Sequence, residues 1–508
     1  MGEKAIDLWR EVLGADRVID DPIVLSAAGR ATFAHTNRIG AILKAQYAAE
    51  VRAVVRIAAE TNSRLYPISR GRNWGLGSKA PSADGCALVD LSGMDRILDY
   101  DEKFGTLTVE PGVSFRQAAD FLRENNSPFF CSVPGGSPEG SLIGNALERG
   151  GGDGPYGDRA AHITALEVVL STGEIVHTGF DRFEGASAAT LARSGVGPSL
   201  IDLFFQSNFG IVTRGTVFLA KKPAAWRGVQ LRIASTEALA PAIDALRVLL
   251  QDGAIHSHSV TLWNSYKLAA RAGRYPWSST QGRTPLDMRA RFGAAHWHGS
   301  VAIHAASEAL AEAALAHTRE VLKPGVLDWK EAQREQLPPQ DQALAEPGNP
   351  TGANVASVYW RKKSAAPPVA DADPDRDRCG VIWMCPALPL EGAVVAQVIA
   401  GIEQRILAHG FEPNIGMNPV SPRVLDVYVS LMYDREVAGE DEKAMRCHDD
   451  VMNWLITEGH LPSRLGIQSM GLLPSPRDDS GAVWSRLKRA FDAAGVIAPG
   501  RYECGEKR

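Results

Sequence analysis

A chain of 508 residues, 45% hydrophobic and 22% charged, is long enough to bury two or three separate cores. Its net charge of −5 and pI near 6.2 exclude the cationic surface that nucleic-acid binding needs, and no apolar run is long enough for a membrane span. The N-terminus mixes charge with apolar residues at helical spacing and has no signal-peptide core, and six scattered cysteines without a CxxC pair suit a reducing cytoplasm.

In chain order, residues 42–62 carry apolar side chains at helical spacing and lead into a β-prone run at 64–69. The loop that follows, Tyr-Pro-Ile-Ser-Arg-Gly-Arg-Asn-Trp-Gly-Leu-Gly-Ser at 66–78, sets two arginines and three glycines behind that strand. Glycines let backbone N–H groups approach an anion, and arginines add charge and forked donors, so the loop suits a phosphate-bearing ligand. Its second half, 75–80, fits a relaxed dinucleotide fingerprint, but turn residues at 81–85 follow where a helix should open.

Further strands are expected at 86–91, 106–110 and 166–170, a helix at 114–124, and a hairpin over 167–177 turning at Gly173. Helices mix with antiparallel strands, so the fold class is α+β. Glycine-dense loops at 134–158 and 195–213 are too long for simple connections, and three such loops imply one extended, polar, phosphate-bearing ligand. The pairs His256/His258 and His296/His298 lack further ligands at a recognisable spacing, so no metal is assigned. From 224 to 459 the glycine loops give way to alternating helix and strand patterns, with an irregular Pro- and Asp-rich excursion at 324–377.

Six motifs, in order, give the chain its resemblance. They are Pro-Ile-Ser-Arg-Gly-Arg-Asn-Trp-Gly (67–75), Val-Glu-Pro-Gly-Val (109–113), Gly-Asn-Ala-Leu-Glu-Arg-Gly (144–150), Pro-Tyr-Gly-Asp (155–158), Gln-Ser-Asn-Phe-Gly-Ile-Val-Thr (206–213) and Ala-Pro-Gly-Arg (498–501). With these the chain resembles the vanillyl-alcohol oxidase / p-cresol methylhydroxylase family of FAD-dependent oxidoreductases. The resemblance implies an FAD-binding domain over 1–223, a cap over 224–460 with a central antiparallel sheet, and a C-terminal segment, 461–508, completing the FAD site.

Carried over by position, Pro67, Ile68, Ser69, Arg70, Gly71, Arg72, Asn73 and Trp74 should cradle the FAD pyrophosphate. Pro134, Gly135, Gly140, Ser141, Gly144 and Asn145 should follow the ribityl chain and flavin edge, Gly210, Ile211 and Val212 should meet the adenosine end, and Arg501 should approach flavin and substrate. The family's covalent flavin link would fall at Val381, and a second known linkage position is Asn73, so FAD is expected to be dissociable, with Cys379 as a lesser alternative link. Family tyrosines are replaced by Leu76, Ser463 and Asp153, leaving Arg464 to hold an anionic substrate group. The family aspartate beside the flavin falls near Gly136 or Ser137, so Glu139, Asp153 and His35 are the candidate bases. The expected activity is hydride removal from an activated C–H or CH–OH of an aromatic or bulky apolar substrate, with O2 or a cytochrome as acceptor. A 2-hydroxy-acid dehydrogenase and a flavin electron-transfer subunit are the alternatives, and a homodimer is the expected assembly.

Overall fold

The structure, a computed structural model, describes residues 2–288, 295–334, 342 and 345–503. Four short apolar runs, β1 (Val18–Ile19), β2 (Ile39–Lys44), β3 (Leu65–Ile68) and β4 (Cys86–Asp90), form a sheet in the order β1-β2-β4-β3. The helix expected over 42–62 begins only at Ala48 and ends at Thr61, while residues 42–44 belong to β2, with Leu43 paired to Val89. The run is buried along most of its length, and a strand covered on both faces carries continuous apolar residues that look like the start of a helix. A second correction follows from the same unit: β2, β4 and β3 run parallel rather than antiparallel. The helix Ala48–Thr61 supplies the crossover that parallel strands require.

A second sheet is antiparallel, with β5 (Ile97–Asp101), β6 (Thr106–Val109), β8 (Ile163–Val169), β9 (Ile175–His177) and β10 (Ile211–Phe218) in the order β5-β6-β10-β8-β9. β8 and β9 form the expected hairpin, and Gly173 takes the positive φ (+79°) that the turn needs. The short β7 (Phe129–Phe130) pairs with β11 (Ala220–Lys221). The chain returns to this half at its end: Leu65 N–H donates to Val496 O and Ala498 N–H to Leu65 O, both at 2.8 Å, and Val496, Ile497 and Ala498 join the core beneath the first sheet.

The intervening chain builds an eight-stranded antiparallel sheet from β12 (Ala225–Ile233), β13 (Val260–Asn264), β14 (Trp297–Ala305), β15 (Asp328–Ala332), β16 (Cys379–Pro389), β17 (Asn414–Pro419), β18 (Val424–Asp434) and β19 (Pro462–Arg464). Their order is β15-β12-β14-β13-β17-β18-β16-β19. Strand periodicity of two divides its side chains. Val229, Leu231, Leu262, Ile382, Met384, Val427 and Val429 face helices that include Leu239–Gln251, Gly392–Ala408 and Glu440–Thr457, forming one apolar core. Alternate residues, among them Arg232, Trp263, His298, Trp383, Asp426 and Tyr428, turn to the opposite face and the internal cavity.

The irregular excursion supplies the edge strand β15 and the turn at Ala356–Tyr359, while residues 335–341, 343 and 344 of it lie outside the described residues. Arg361, just beyond the turn, is 2% exposed and pairs with Glu412, 1% exposed, through Nε at 2.7 Å. Arg361 also donates to Gly410 O and lies against the Phe411 ring, while Glu412 accepts from Leu286 N–H at 2.8 Å. Arg361→Met would leave Glu412 buried without its charge partner, and urea unfolding should register a loss of about 3–5 kcal/mol. A change of under about 1 kcal/mol would show that the pair is not what ties the excursion to the cap.

Candidate active site

The loop after β3 is shaped by three glycines at positive φ: Gly71 (+62°), Gly75 (+82°) and Gly77 (+128°). Residues 74–79 form successive turns, so the apparent dinucleotide fingerprint opens no helix. Gly75 has a second reason to be glycine, because a Cβ there would sit 2.0 Å from Trp383 Cδ1. Arg70 is spent on architecture, donating from Nε to Glu139 O at 2.6 Å and from Nη1 to Gly112 O at 3.0 Å, which binds the first and second glycine loops together. Arg72 lies 5.6 Å from the Trp74 ring centroid and has no ion-pair partner among the described residues. In the second loop Ser141 Oγ donates to Pro111 O at 2.5 Å and accepts from Gly144 N–H, capping the short helix Leu142–Leu147. A Cβ on Gly144 would be 2.8 Å from Ser69 Oγ, so the two loops touch.

These loops and the cap sheet enclose a cavity of about 1050 Å³. It is lined by 66–74 and Leu76, by Pro134, Gly135, Gly140, Ser141, Gly144 and Asn145, by Asp153, by 210–212, and by Ser463, Arg464 and Arg501. Nearly all of the proposed site residues therefore converge on one space. Glu139 does not line it: its carboxylate pairs with Arg116 at 2.6 Å and Arg70 at 3.4 Å, which leaves it orienting a loop rather than facing a substrate. His35 also lies apart, bonded through Nε2 to Gly29 O at 2.7 Å. On β16, Cys379 and Val381 are buried in an aromatic cluster, whereas Trp383 and Cys385 reach the cavity. The strand's approach to the ligand space thus comes two and four residues later than the position expected for a flavin link.

The cavity wall is charged in an uneven way. Asp153 is accessible from the cavity yet surrounded by protein, and burial pushes its carboxyl up to about 6 despite the opposing pull of Arg159. Arg159 is buried against Phe115, donates to Asn145 Oδ1 and to Gly151 O, and keeps one Nη1 without a partner; burial pulls it down to about 10. Asp426 is also raised to about 6, by burial, against hydrogen bonds from Ser463 and Tyr428. His258 is held neutral, its burial lowering it to about 4. Arg501 is locked to Glu148 and to Tyr66 Oη at 2.7 Å; burial is the largest single influence and opposes its charge, but Glu148, Tyr66 and Tyr502 together outweigh it and raise the guanidinium. Arg464 donates from Nη2 to Asn73 Oδ1 at 2.9 Å, while its buried Nε has no partner. Among the described residues no group of three or more His, Cys, Asp or Glu could hold a metal.

Sequence reasoning missed Arg159, His258, Lys267, Trp383, Asp426 and Tyr428, all except Arg159 in the cap and all but Arg159 lining the cavity. Arg159 directly follows the Pro-Tyr-Gly-Asp motif and was in reach; His258 was noticed only as half of a His-x-His pair and stands in the turn before β13, and the other cap residues stand on ordinary strands and a helix with no motif around them. The residues present fit FAD. The space exceeds the roughly 300–1,000 Å³ of a drug-sized site, an unpaired cation stands at the glycine loop, and glycines remove the Cβ atoms that would close the cradle.

Comparison with known proteins agrees. A family model described as an FAD binding domain matches residues 39–179. The chain is 42% identical over 528 residues to 1'-carboxy-chondrochloren decarboxylase of Chondromyces crocatus, covering 99% of this chain and 97% of that protein. It is 26% identical to the 4-cresol dehydrogenase [hydroxylating] flavoprotein subunit of Pseudomonas putida, covering 98% and 95%. The fold matches the crystal structure of p-cresol methylhydroxylase with substrate bound at a TM-score of 0.89 and 24% identity, covering 99% and 96%. Gly75→Val, which drives a branched side chain into Trp383, should cut the flavin retained through gel filtration, read as flavin absorbance per protein. Wild-type flavin content in this variant would show that the contact does not shape the site.

Proposed function

Because the chain belongs to the p-cresol methylhydroxylase-type family of FAD-dependent oxidoreductases, we propose that its cavity binds FAD along 67–74, 134–145 and 210–212 and oxidises an aromatic or bulky apolar substrate beneath the cap. Bound FAD supplies the hydride acceptor. The observation that carries the reading is Arg464, which lines the cavity, is tied to the cofactor loop at Asn73 and has a buried Nε without a partner. A guanidinium in that state is suited to holding an oxyanion of the substrate. Arg501, already neutralised by Glu148, holds the C-terminal segment against Tyr66 instead.

Asp153 is the base in this reading, since its carboxylate opens onto the cavity and titrates near the working pH. Its active form is the carboxylate, so kcat/KM is full above pH 6 and falls as pH drops through about 6. Asp153→Asn should remove that acid limb and lower kcat/KM by about 10²-fold or more; an unchanged limb would transfer the role to another group, Asp426 first. Leu76 and Ser463 give the substrate apolar contact and one hydroxyl where the family resemblance implies phenols, so the pocket favours substrates other than simple alkylphenols. The division into 1–223, 224–460 and 461–508 is retained, with β19 lending the last segment to the cap sheet.

FAD is held without a covalent bond in this proposal. Trp383 offers no nucleophile, and burial pushes the Cys385 thiol up to about 12, far from a reactive thiolate. Acid precipitation should release the yellow colour to the supernatant, and a yellow pellet would overturn the proposal. Under anaerobic conditions a benzylic alcohol should bleach the flavin and a simple 2-hydroxy acid should not; the reverse pattern would favour the hydroxy-acid dehydrogenase reading.

The decarboxylase relative supports a second reading. If hydride leaves the carbon β to a carboxylate, the electron pair of the bond to the carboxyl carbon fills the vacancy, giving an alkene and CO2. Carbon dioxide released in step with flavin reduction would identify this course. Reoxidation by O2 or by a cytochrome is the remaining alternative, and the cresol dehydrogenase relative, a flavoprotein subunit, supports the second. Unpaired buried cysteines among the described residues support a reducing, cytoplasmic setting.

A further inference from the structure

Lys267 has no part in the chemistry above, yet it lines the same cavity. It stands on the first turn of the helix Ser265–Ala272, whose start is anchored by the fully buried Asn264. Asn264 Oδ1 accepts from Lys267 N–H at 3.0 Å and Ile415 N–H at 3.3 Å, and its Nδ2 donates to Pro413 O at 2.7 Å, fixing the helix to β13 and β17. Lys267 and Arg271, four residues apart, share a helix face. Lys267 Nζ lies 4.7 Å from the Trp383 ring centroid, and the Arg271 guanidinium 5.0 Å from that of Trp263. Trp383 in turn rests on Gly75, at the end of the cofactor loop.

The Lys267 side chain is 6% exposed and has no ion-pair partner among the described residues. Burial, and then Arg271, pull its ammonium down to about 8, so it still carries charge at neutral pH. A buried ammonium beside a guanidinium is costly, and an indole face offsets only part of that cost. Among the described residues no carboxylate pairs with the Lys267 ammonium. The cofactor loop has its own cation in Arg72, and Arg464 stands at Asn73 for an oxyanion at that end, so a second anionic group on the same substrate is the ligand Lys267 fits.

We infer that Lys267, in the field of Arg271 and on the face of Trp383, is a subsite for a carboxylate carried by the aromatic substrate. The inference rests on the reading of the cavity as the FAD and aromatic-substrate site. It makes Lys267 a specificity residue that selects aromatic acids over their uncharged counterparts.

Calorimetric titration of the FAD-loaded protein with para-hydroxyphenylpropanoate and with para-propylphenol tests it. Wild type should bind the acid more tightly; Lys267→Met should weaken the acid by about tenfold or more and leave the phenol within about twofold, and Lys267→Arg should keep most of the preference. Equal loss for both ligands, no loss for either, or no preference in the wild type would overturn the subsite. Bleaching of the flavin by a benzylic alcohol or by para-hydroxyphenylpropanoate is read separately on the same preparations. Bleaching without acid preference sinks the subsite alone, and acid preference without bleaching sinks the oxidation reading alone.

Discussion

The active cavity exists because one strand of the cap is stitched to one loop of the cofactor domain. Thr32 Oγ1 donates to Val381 O and accepts from Gly75 N–H, Val381 N–H donates to Thr32 O, and Trp383 N–H donates to Gly75 O, all between 2.8 and 3.1 Å. Six backbone groups are satisfied in one seam. The seam requires a residue without Cβ at Gly75, since the Trp383 indole occupies that volume. From it follow the placement of Asn73 beside Arg464, of Trp383 beside Lys267, and of the cap's polar face over the glycine loops.

The two walls of the cavity differ in kind. The cofactor-domain wall is mostly backbone, opened by glycines and braced by arginines such as Arg70 and Arg159 that spend their hydrogen bonds on carbonyls. The cap wall is made of side chains on the sheet face turned away from the helices, rich in tryptophan and in ionisable groups shifted by burial. A backbone wall suits a cofactor whose phosphates and ring edges bond to N–H groups, and a side-chain wall suits variation in substrate. In the function proposed, Leu76 and Ser463, together with the charged groups at Asp153 and Lys267, therefore bear on what is oxidised more than on how FAD is held.

The glycine loops were legible because each needs unusual residues at close spacing: Arg70, Gly71 and Arg72 read as an anion cradle from their chemistry alone. The cap contributions were not. Lys267 and Asp426 sit at helical and strand positions where charged residues are ordinarily solvent-facing, and only the packing of the sheet onto the other domain turns that face inward. Glu139 misled for the opposite reason, as a carboxylate among glycines looks catalytic until Arg70 and Arg116 are seen to hold it. Residues 42–44 misled because a strand buried on both faces has no alternation to distinguish it from a helix.

By itself, then, the sequence determined the family, the α+β class, the cofactor and the glycine loops that line the cavity, because local conformations of glycine and the forked donors of arginine leave a signature within a dozen residues. Only the tertiary structure decided which charges face the ligand. Those charges come from segments hundreds of residues apart, as Asp153 and Arg464 are, and whether each is buried, paired or open to the cavity depends on how two domains close on each other.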